Sequence, residues 1–355
     1  MYEKDSEAGQ ISITYENAGR IFNSFFEEIG RVVVGQRKAV EHIVISILCG
    51  GHVLVESNPG LGKTLMISTI SKALNLKFSR IQCTPDLMPA DITGTNIIEE
   101  RESGKKEFRF EAGPVFSNIV LADEINRASP KTQSALLEAM QEKQVTVGND
   151  TYLLDKPFFI LATQNPIEME GTYPLPEAQL DRFLLKILID YPNFEEEKEI
   201  INRYTKAEAP KIRRGIDKST LLELQALTRQ VPISEELKER ALKIVALTRK
   251  DKQNIEYGAS PRASIGLILA AKARALIKGR NFVSQEDLDV MAYPVLRHRI
   301  ILTFEAERSG ITPDEAITEL LKQVNPGYKE EKNETAPENQ KEPAKKKLKL
   351  PGFRK

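Results

Sequence analysis

The chain has 355 residues, enough for one large domain and a smaller one, each with its own core. Its 51 basic and 51 acidic side chains cancel to a net charge of +0, so no global field favours nucleic acid or an anionic membrane. The two cysteines, Cys49 and Cys83, sit in or beside apolar runs, which excludes a disulfide framework, and the longest apolar stretch, 43–55, is interrupted by Gly50-Gly51-His52 and too short to insert in a membrane.

The first residues are polar and acidic and lack the basic and apolar segments of a secretory signal, so residues 1–15 are expected to be flexible and the protein cytoplasmic. Across 16–191, strand-like and helix-like runs alternate, which predicts an α/β core with a parallel sheet. Runs at 52–55, 77–83, 119–122, 158–162 and 186–189 read as five buried strands. Ligands in such sheets bind at the carboxyl ends of the strands. Two segments interrupt the alternation: 95–110, with a turn at Ser103-Gly104, and 144–154, around Gly148-Asn149-Asp150. Both read as hairpins standing off the core. Beyond Asn193 the strand signal stops and helical periodicity fills 192–328, with starts at Ser234, Ser260-Pro261, Ser284 and Thr312-Pro313. Residues 329–355 are too charged and polar to offset the entropy of ordering and predict a disordered tail.

The chemistry starts at the end of the first strand. Glu56-Ser57-Asn58-Pro59-Gly60-Leu61-Gly62-Lys63-Thr64 has the form of a phosphate-binding loop between a strand and a helix, with Ser57 standing where the pattern has its first glycine. Asn58, Pro59, Gly60, Leu61, Gly62, Lys63, Thr64 and Leu65 are the expected nucleotide-binding residues. Lys63 would reach the β- and γ-phosphates, and the Thr64 hydroxyl would coordinate Mg²⁺. The third strand delivers two carboxylates at its end: Asp123 would hold Mg²⁺ directly or through water, and Glu124 would polarise the water that attacks the γ-phosphate. The fourth ends Ala162-Thr163-Gln164-Asn165-Pro166. Asn165 can orient that water if this strand lies between the first and the third. His42, His52 and His298 are not at metal-ligand spacing and read as packed or surface residues, and the basic run 296–300 reads as a charged helix end.

The segments Leu121-Ala122-Asp123-Glu124-Ile125-Asn126-Arg127-Ala128, Pro130-Lys131-Thr132-Gln133-Ser134-Ala135-Leu136-Leu137-Glu138, Ala162-Thr163-Gln164-Asn165-Pro166, Leu175-Pro176-Glu177-Ala178-Gln179-Leu180-Asp181-Arg182-Phe183 and Gly258-Ala259-Ser260-Pro261-Arg262 together resemble the MoxR family of AAA+ ATPases, in the family's order. The resemblance spans roughly 29–323. It implies a five-stranded sheet in the order 5-1-4-3-2, a helical lid and a homo-hexameric ring. Arg182 then corresponds to the arginine finger, unless Asp181 beside it holds it in a local salt bridge. Arg262 corresponds to the second sensor, and Val34-Gly35-Gln36 to the segment whose backbone reads adenine. The hairpins match the family's helix-2 insert and pre-sensor-1 hairpin, tools for handling a substrate.

What the resemblance implies is a Mg²⁺-dependent ATP hydrolase and remodelling chaperone. Its clients would be proteins with von Willebrand factor A domains, in metal-cofactor insertion or complex assembly. A nucleic-acid motor is the alternative, but the core has no basic stripe with interleaved aromatics. A nucleotide-gated scaffold with little turnover is the other, and the joint presence of Glu124, Asn165 and Arg182 argues against it.

Overall fold

The computed structural model describes residues 13–100, 106–166, 171–208, 210–212 and 215–324. The expected flexible start falls almost wholly outside these residues, as do the Ser103-Gly104 turn and the tail.

Five parallel strands form the centre: β1 (Val53–Ser57), β2 (Phe78–Gln82), β5 (Ile119–Asp123), β8 (Phe159–Gln164) and β9 (Leu185–Ile189). They lie in the order β2-β5-β8-β1-β9. Counted among themselves, the five run 2-3-4-1-5, which is the expected 5-1-4-3-2 read from the other edge. Register is fixed by pairs such as Leu121↔Leu161 and Val53↔Leu161. Side chains alternate between two buried faces, as the two-residue period of a strand requires. Val53, Val55, Ile119, Leu121, Phe159 and Leu161 join one core, and Leu54, Val120, Ala122, Ile160 and Ala162 join the other. The first core contains α1 (Tyr15–Val32), α2 (Arg37–Cys49) and α3 (Lys63–Ala73) and continues without a break into the later helices, whereas the second is closed by α5 (Pro130–Glu142).

Both hairpins are present. β3 (Gly94–Glu100) pairs antiparallel with β4 (Lys106–Ala112), and β6 (Gln144–Val147) with β7 (Asp150–Leu153). At the base of the first, a Cβ on Gly94 would sit 2.2 Å from the Glu111 carbonyl oxygen, so only glycine lets the strands start so close together. An aromatic cluster ties the hairpins to each other: Phe110 of β4 stacks on Tyr152 of β7 with ring centroids 4.0 Å apart. Phe116, in the short turn Pro114–Phe116 that leads into β5, packs edge-on against both rings.

The second half is helical apart from the two-stranded β10 (Ile255–Tyr257) and β11 (Ile301–Leu302). Its helices start where short polar side chains cap free backbone N–H groups: Ser234 before α9 (Glu235–Lys250), Ser260 before α10 (Pro261–Ile277), Ser284 before α11 (Gln285–Leu296), and Thr312 before α13 (Pro313–Val324). Asp287 in the first turn of α11 is wholly buried and accepts from Arg274, Arg280 and the Ser284 backbone. Burial works to raise its pKa, but the bonds from Arg280, Ser284 and Arg274 prevail and hold it below the usual carboxylate value. Its contribution to stability is therefore whole above about pH 4 and is lost as pH falls through the lower folded-state pKa. We expect Asp287→Asn to cost about 3 to 5 kcal/mol in denaturant unfolding, because two guanidinium groups lose their buried counter-charge. An unchanged midpoint would show that the cluster is dispensable.

This helical unit is fastened to the sheet at one end. Arg299, its side chain 3% exposed, donates to the Asp181 carboxylate at 2.9 Å and to the carbonyls of Phe183 and Leu184, which lead into β9. Arg297 donates to Asp314 and to the Lys186 carbonyl. The basic run 296–300 is thus a lock between the two units and not a solvated helix end.

Candidate active site

The phosphate-binding loop follows β1 at its carboxyl end. Gly60 and Gly62 adopt φ of 84° and 73°, a left-handed conformation that is strained in residues with a side chain, and Gly62 caps α3 directly before Lys63. The N–H groups of the first turn of α3 are thereby left to face an anion. Lys63 Nζ rests 3.3 Å from the Ser57 carbonyl and 3.4 Å from that of Asn58, so its charge is held over the loop. Ser57 is 3% exposed, packed under the turn, and the loop closes without a glycine there.

Beside the loop, β8 lies between β1 and β5, the arrangement on which the reading of Asn165 depended. Asn165 follows β8 directly and is buried, next to Gln164, whose partner in the ladder is Glu56 of β1. Asp123 ends β5 and is 7% exposed. Its Oδ2 accepts from Arg80 of β2 at 2.6 Å, and its Oδ1 accepts from the Thr163 hydroxyl at 2.7 Å. Glu124 is the next residue and leaves the strand in a left-handed conformation, φ 56° and ψ 52°. Its backbone N–H donates to Thr163 Oγ1 at 2.8 Å, and its carboxylate is paired with Arg127 at 3.0 Å. The two adjacent carboxylates therefore point to different partners.

A hard cation such as Mg²⁺ takes oxygen donors and needs few from protein when phosphates supply the rest. The Thr64 hydroxyl and the Asp123 carboxylate fit that demand: Oδ2 takes two bonds from Arg80, and Oδ1 keeps a lone pair beyond the one bond it accepts from Thr163. No cluster of three or more His, Cys, Asp or Glu residues suited to a metal occurs among the described residues. The three histidines are buried: burial holds His42 near pKa 3 and His52 near 4, and pushes His298 well below its usual value, so all are neutral packing residues. Burial drives both thiols up to about 12, so Cys49 and Cys83 are unreactive small core residues.

Val34, Gly35 and Gln36 link α1 to α2. Gly35 has φ 75°, and a Cβ there would meet the Glu196 carboxyl of α7 (Phe194–Tyr204) at 2.6 Å. Gln36 donates to the Asp190 carbonyl at 3.4 Å, which draws this segment to the end of β9. A cavity of about 220 Å³ lies beside it, walled by Phe26, Val33, Val34, Arg37 and Arg203.

The two arginines are elsewhere. Arg182 is exposed and donates to the Leu137 carbonyl, and the Asp181 carboxylate is taken up by Ser260, Arg262 and Arg299, so the local Asp181–Arg182 bridge is not formed. Both Asp181 and Arg182 lie just before β9, where the Leu184 N–H donates to the His52 carbonyl at the start of β1. Arg262 opens α10 and stands 3.4 Å from Asp181. Arg182 and Arg262 thus share the amino ends of the strands and line one cavity of about 280 Å³ with Gln141, Leu184, Ile265 and Arg299. Lys63 is at the carboxyl ends, and a five-residue strand, about 17 Å, separates the two groups.

Arg80, Thr163, Arg127 and Arg299 were not singled out in the sequence. Thr163 stands two residues before Asn165, the partners of Arg80 and Arg299 depend on strand order or on contacts distant in the chain, and Arg127 pairs locally with Glu124 three residues earlier.

A parallel sheet with strand order 2-3-4-1-5, a phosphate-binding loop after the first strand and paired carboxylates after the third define a P-loop ATPase of the AAA type. The model for the ATPase family associated with various cellular activities matches residues 52–185, and that for the AAA lid domain matches 248–320. The chain is 45% identical over 305 residues to Chaperone MoxR1 of Mycobacterium tuberculosis, covering 84% of this chain and 80% of that one. It is 32% identical over 309 residues to Protein MoxR of Paracoccus denitrificans, covering 79% and 89%. The crystal structure of a putative ATPase from Cytophaga hutchinsonii superposes with a TM-score of 0.82 at 44% identity, over 88% of this chain and 96% of that one. The protein belongs to the MoxR family of AAA+ ATPases, and its activity is ATP hydrolysis in the service of a chaperone.

Proposed function

We propose that the chain works as a homo-hexameric ring in which each ATP is bound by one subunit and hydrolysed with help from the next. The observation that carries this reading is the placement of Arg182 and Arg262 together at the amino ends of the strands, about 17 Å from their own phosphate-binding loop. An arginine side chain does not reach that far, so both would serve a neighbour's nucleotide. Exposed apolar side chains suit such contacts: Phe194 and Ile201 share one face of α7, and Ile265 lies one turn beyond Arg262 on α10.

Within one site, Asn58, Pro59, Gly60, Leu61 and Gly62 wrap the phosphates, Lys63 balances their charge, and the first turn of α3 with Leu65 closes over them. Val34, Gly35 and Gln36 face adenine. Thr64 and Asp123 would hold Mg²⁺, which would neutralise phosphate charge. Glu124 accepts a proton from the attacking water, Asn165 orients that water, and the neighbour's Arg182 and Arg262 stabilise charge on the γ-phosphoryl oxygens.

The client is proposed to be a cytoplasmic protein with a von Willebrand factor A domain. A protein client suits the first hairpin, where Ile98 and Phe108 face each other across β3 and β4 at 62% and 79% exposure, more than a solvated hairpin needs. In ATP, Glu124→Gln subunits should run as hexamers by native mass spectrometry and retain a von Willebrand factor A domain partner. Adding Phe108→Ser should keep the hexamer and lower retention about ten-fold, since one buried aromatic is worth more than a kcal/mol at an interface. Monomers in saturating ATP would end the ring reading, and unchanged retention would remove Phe108 from the client face.

A further inference from the structure

We infer that Thr163 is the positioning residue that sets both carboxylates of the hydrolytic site through one hydroxyl. The inference rests on the reading of Asp123 and Glu124 given above. The backbone ladder between β5 and β8 ends at Ala122↔Ala162, and one residue further on a side chain replaces it. Thr163, wholly buried, donates to Asp123 Oδ1 at 2.7 Å and accepts from the Glu124 N–H at 2.8 Å.

The direction of these bonds is fixed, because an ionised carboxylate only accepts and a backbone N–H only donates. A hydroxyl, with one proton and two lone pairs, is the small group that can serve both at once. Threonine is also β-branched, which restricts its rotation about χ1 and fixes where that hydroxyl points. Its second bond secures the N–H of a residue in a left-handed conformation, φ 56°, which a side-chain-bearing residue adopts only when its surroundings hold it there. The outcome is that Asp123 and Glu124 diverge by a backbone turn anchored on β8, the strand that also carries Asn165. Arg80 secures the other oxygen of Asp123, and the Thr163 hydroxyl bonds to both members of the pair.

The test compares Thr163→Val, which keeps the shape and removes the hydroxyl, with Thr163→Ser, which keeps the hydroxyl. Thr163→Ala is added as the partner of Ser at nearly equal volume, so that the hydroxyl is still isolated if the Val protein does not fold. At saturating ATP we expect Val and Ala to lower kcat about 10- to 100-fold, the loss typical of a group misplaced by a fraction of an ångström to an ångström. KM for ATP, measured at saturating Mg²⁺, should stay within about three-fold, since the phosphate-binding loop is untouched. Ser should remain within about three-fold of wild type. The Val and Ala proteins should also need more Mg²⁺ for half-maximal rate, a change that loss of packing alone does not cause. Ala as active as Ser would overturn the inference, as would a kcat loss shared by Ser or matched by an equal rise in KM. Glu124→Gln, measured alongside, separates the two levels: if it turns over normally, the reading of Glu124 itself fails, whereas a dead Glu124→Gln with an active Thr163→Val removes only the role of Thr163.

Discussion

Glu124→Gln protein is expected to bind ATP as tightly as wild type and to turn it over about 10²- to 10⁴-fold more slowly, the span associated with loss of a general base. Glutamine keeps the size of the side chain and its capacity to hydrogen-bond, so the left-handed turn and the bond from the Glu124 N–H to Thr163 should survive. What is removed is the ability to take a proton from water. The carboxylate also pairs with Arg127 at 3.0 Å, a partly exposed ion pair whose loss costs little. Fluorescent-nucleotide titration and a phosphate-release assay on the same sample measure the two quantities. Hydrolysis at near the wild-type rate would exclude Glu124 as the base.

Mixing two inactive proteins should restore activity. Arg182→Ala subunits keep an intact loop and lack the charge that would reach across an interface. Lys63→Ala subunits keep that charge but lose the group poised over the loop carbonyls. An arginine finger is worth about 10³ to 10⁵ in rate. The mixture places some good fingers beside good loops, so its rate should stand far above that of either parent. Removing Arg182 costs its part-buried bond to the Leu137 carbonyl, and the side chain is otherwise exposed, so the fold should survive. In rings shown to exchange subunits, a mixture no faster than its parents would place the role of Arg182 within its own subunit.

The sheet is legible because β1, β5 and β8 are apolar runs that turn polar only at their carboxyl ends, whereas β2 and β9 are interrupted by polar side chains, and its order follows from the family resemblance. The phosphate-binding loop and the Asp123-Glu124 pair were legible for a different reason: they are local, and the backbone needs particular residues in a fixed spacing. What escaped were contacts made by topology. Arg80 reads as a polar position in Phe78-Ser79-Arg80-Ile81-Gln82, and it finds Asp123 only because β2 lies beside β5. Thr163 is an ordinary strand residue in the run Ala162-Thr163-Gln164-Asn165, and its role appears only when β8 lies beside β5. Arg299 reads as part of a charged helix end because its partner, Asp181, is 118 residues away. For Arg262 the motif gave the residue but not its address, which depends on how α10 packs against Leu184.

The aromatic cluster of Phe110, Phe116 and Tyr152 has a bearing on protein engineering. Each ring comes from a different segment, so the hairpins are not independent modules that can be exchanged singly between relatives. A graft of 94–112 alone would leave Tyr152 facing a foreign strand, and a graft of 144–153 alone would strand Phe110. A chimaera that exchanges these hairpins has to carry both of them and the turn holding Phe116 as one cassette, with a natural junction at the glycine-pinched base at Gly94.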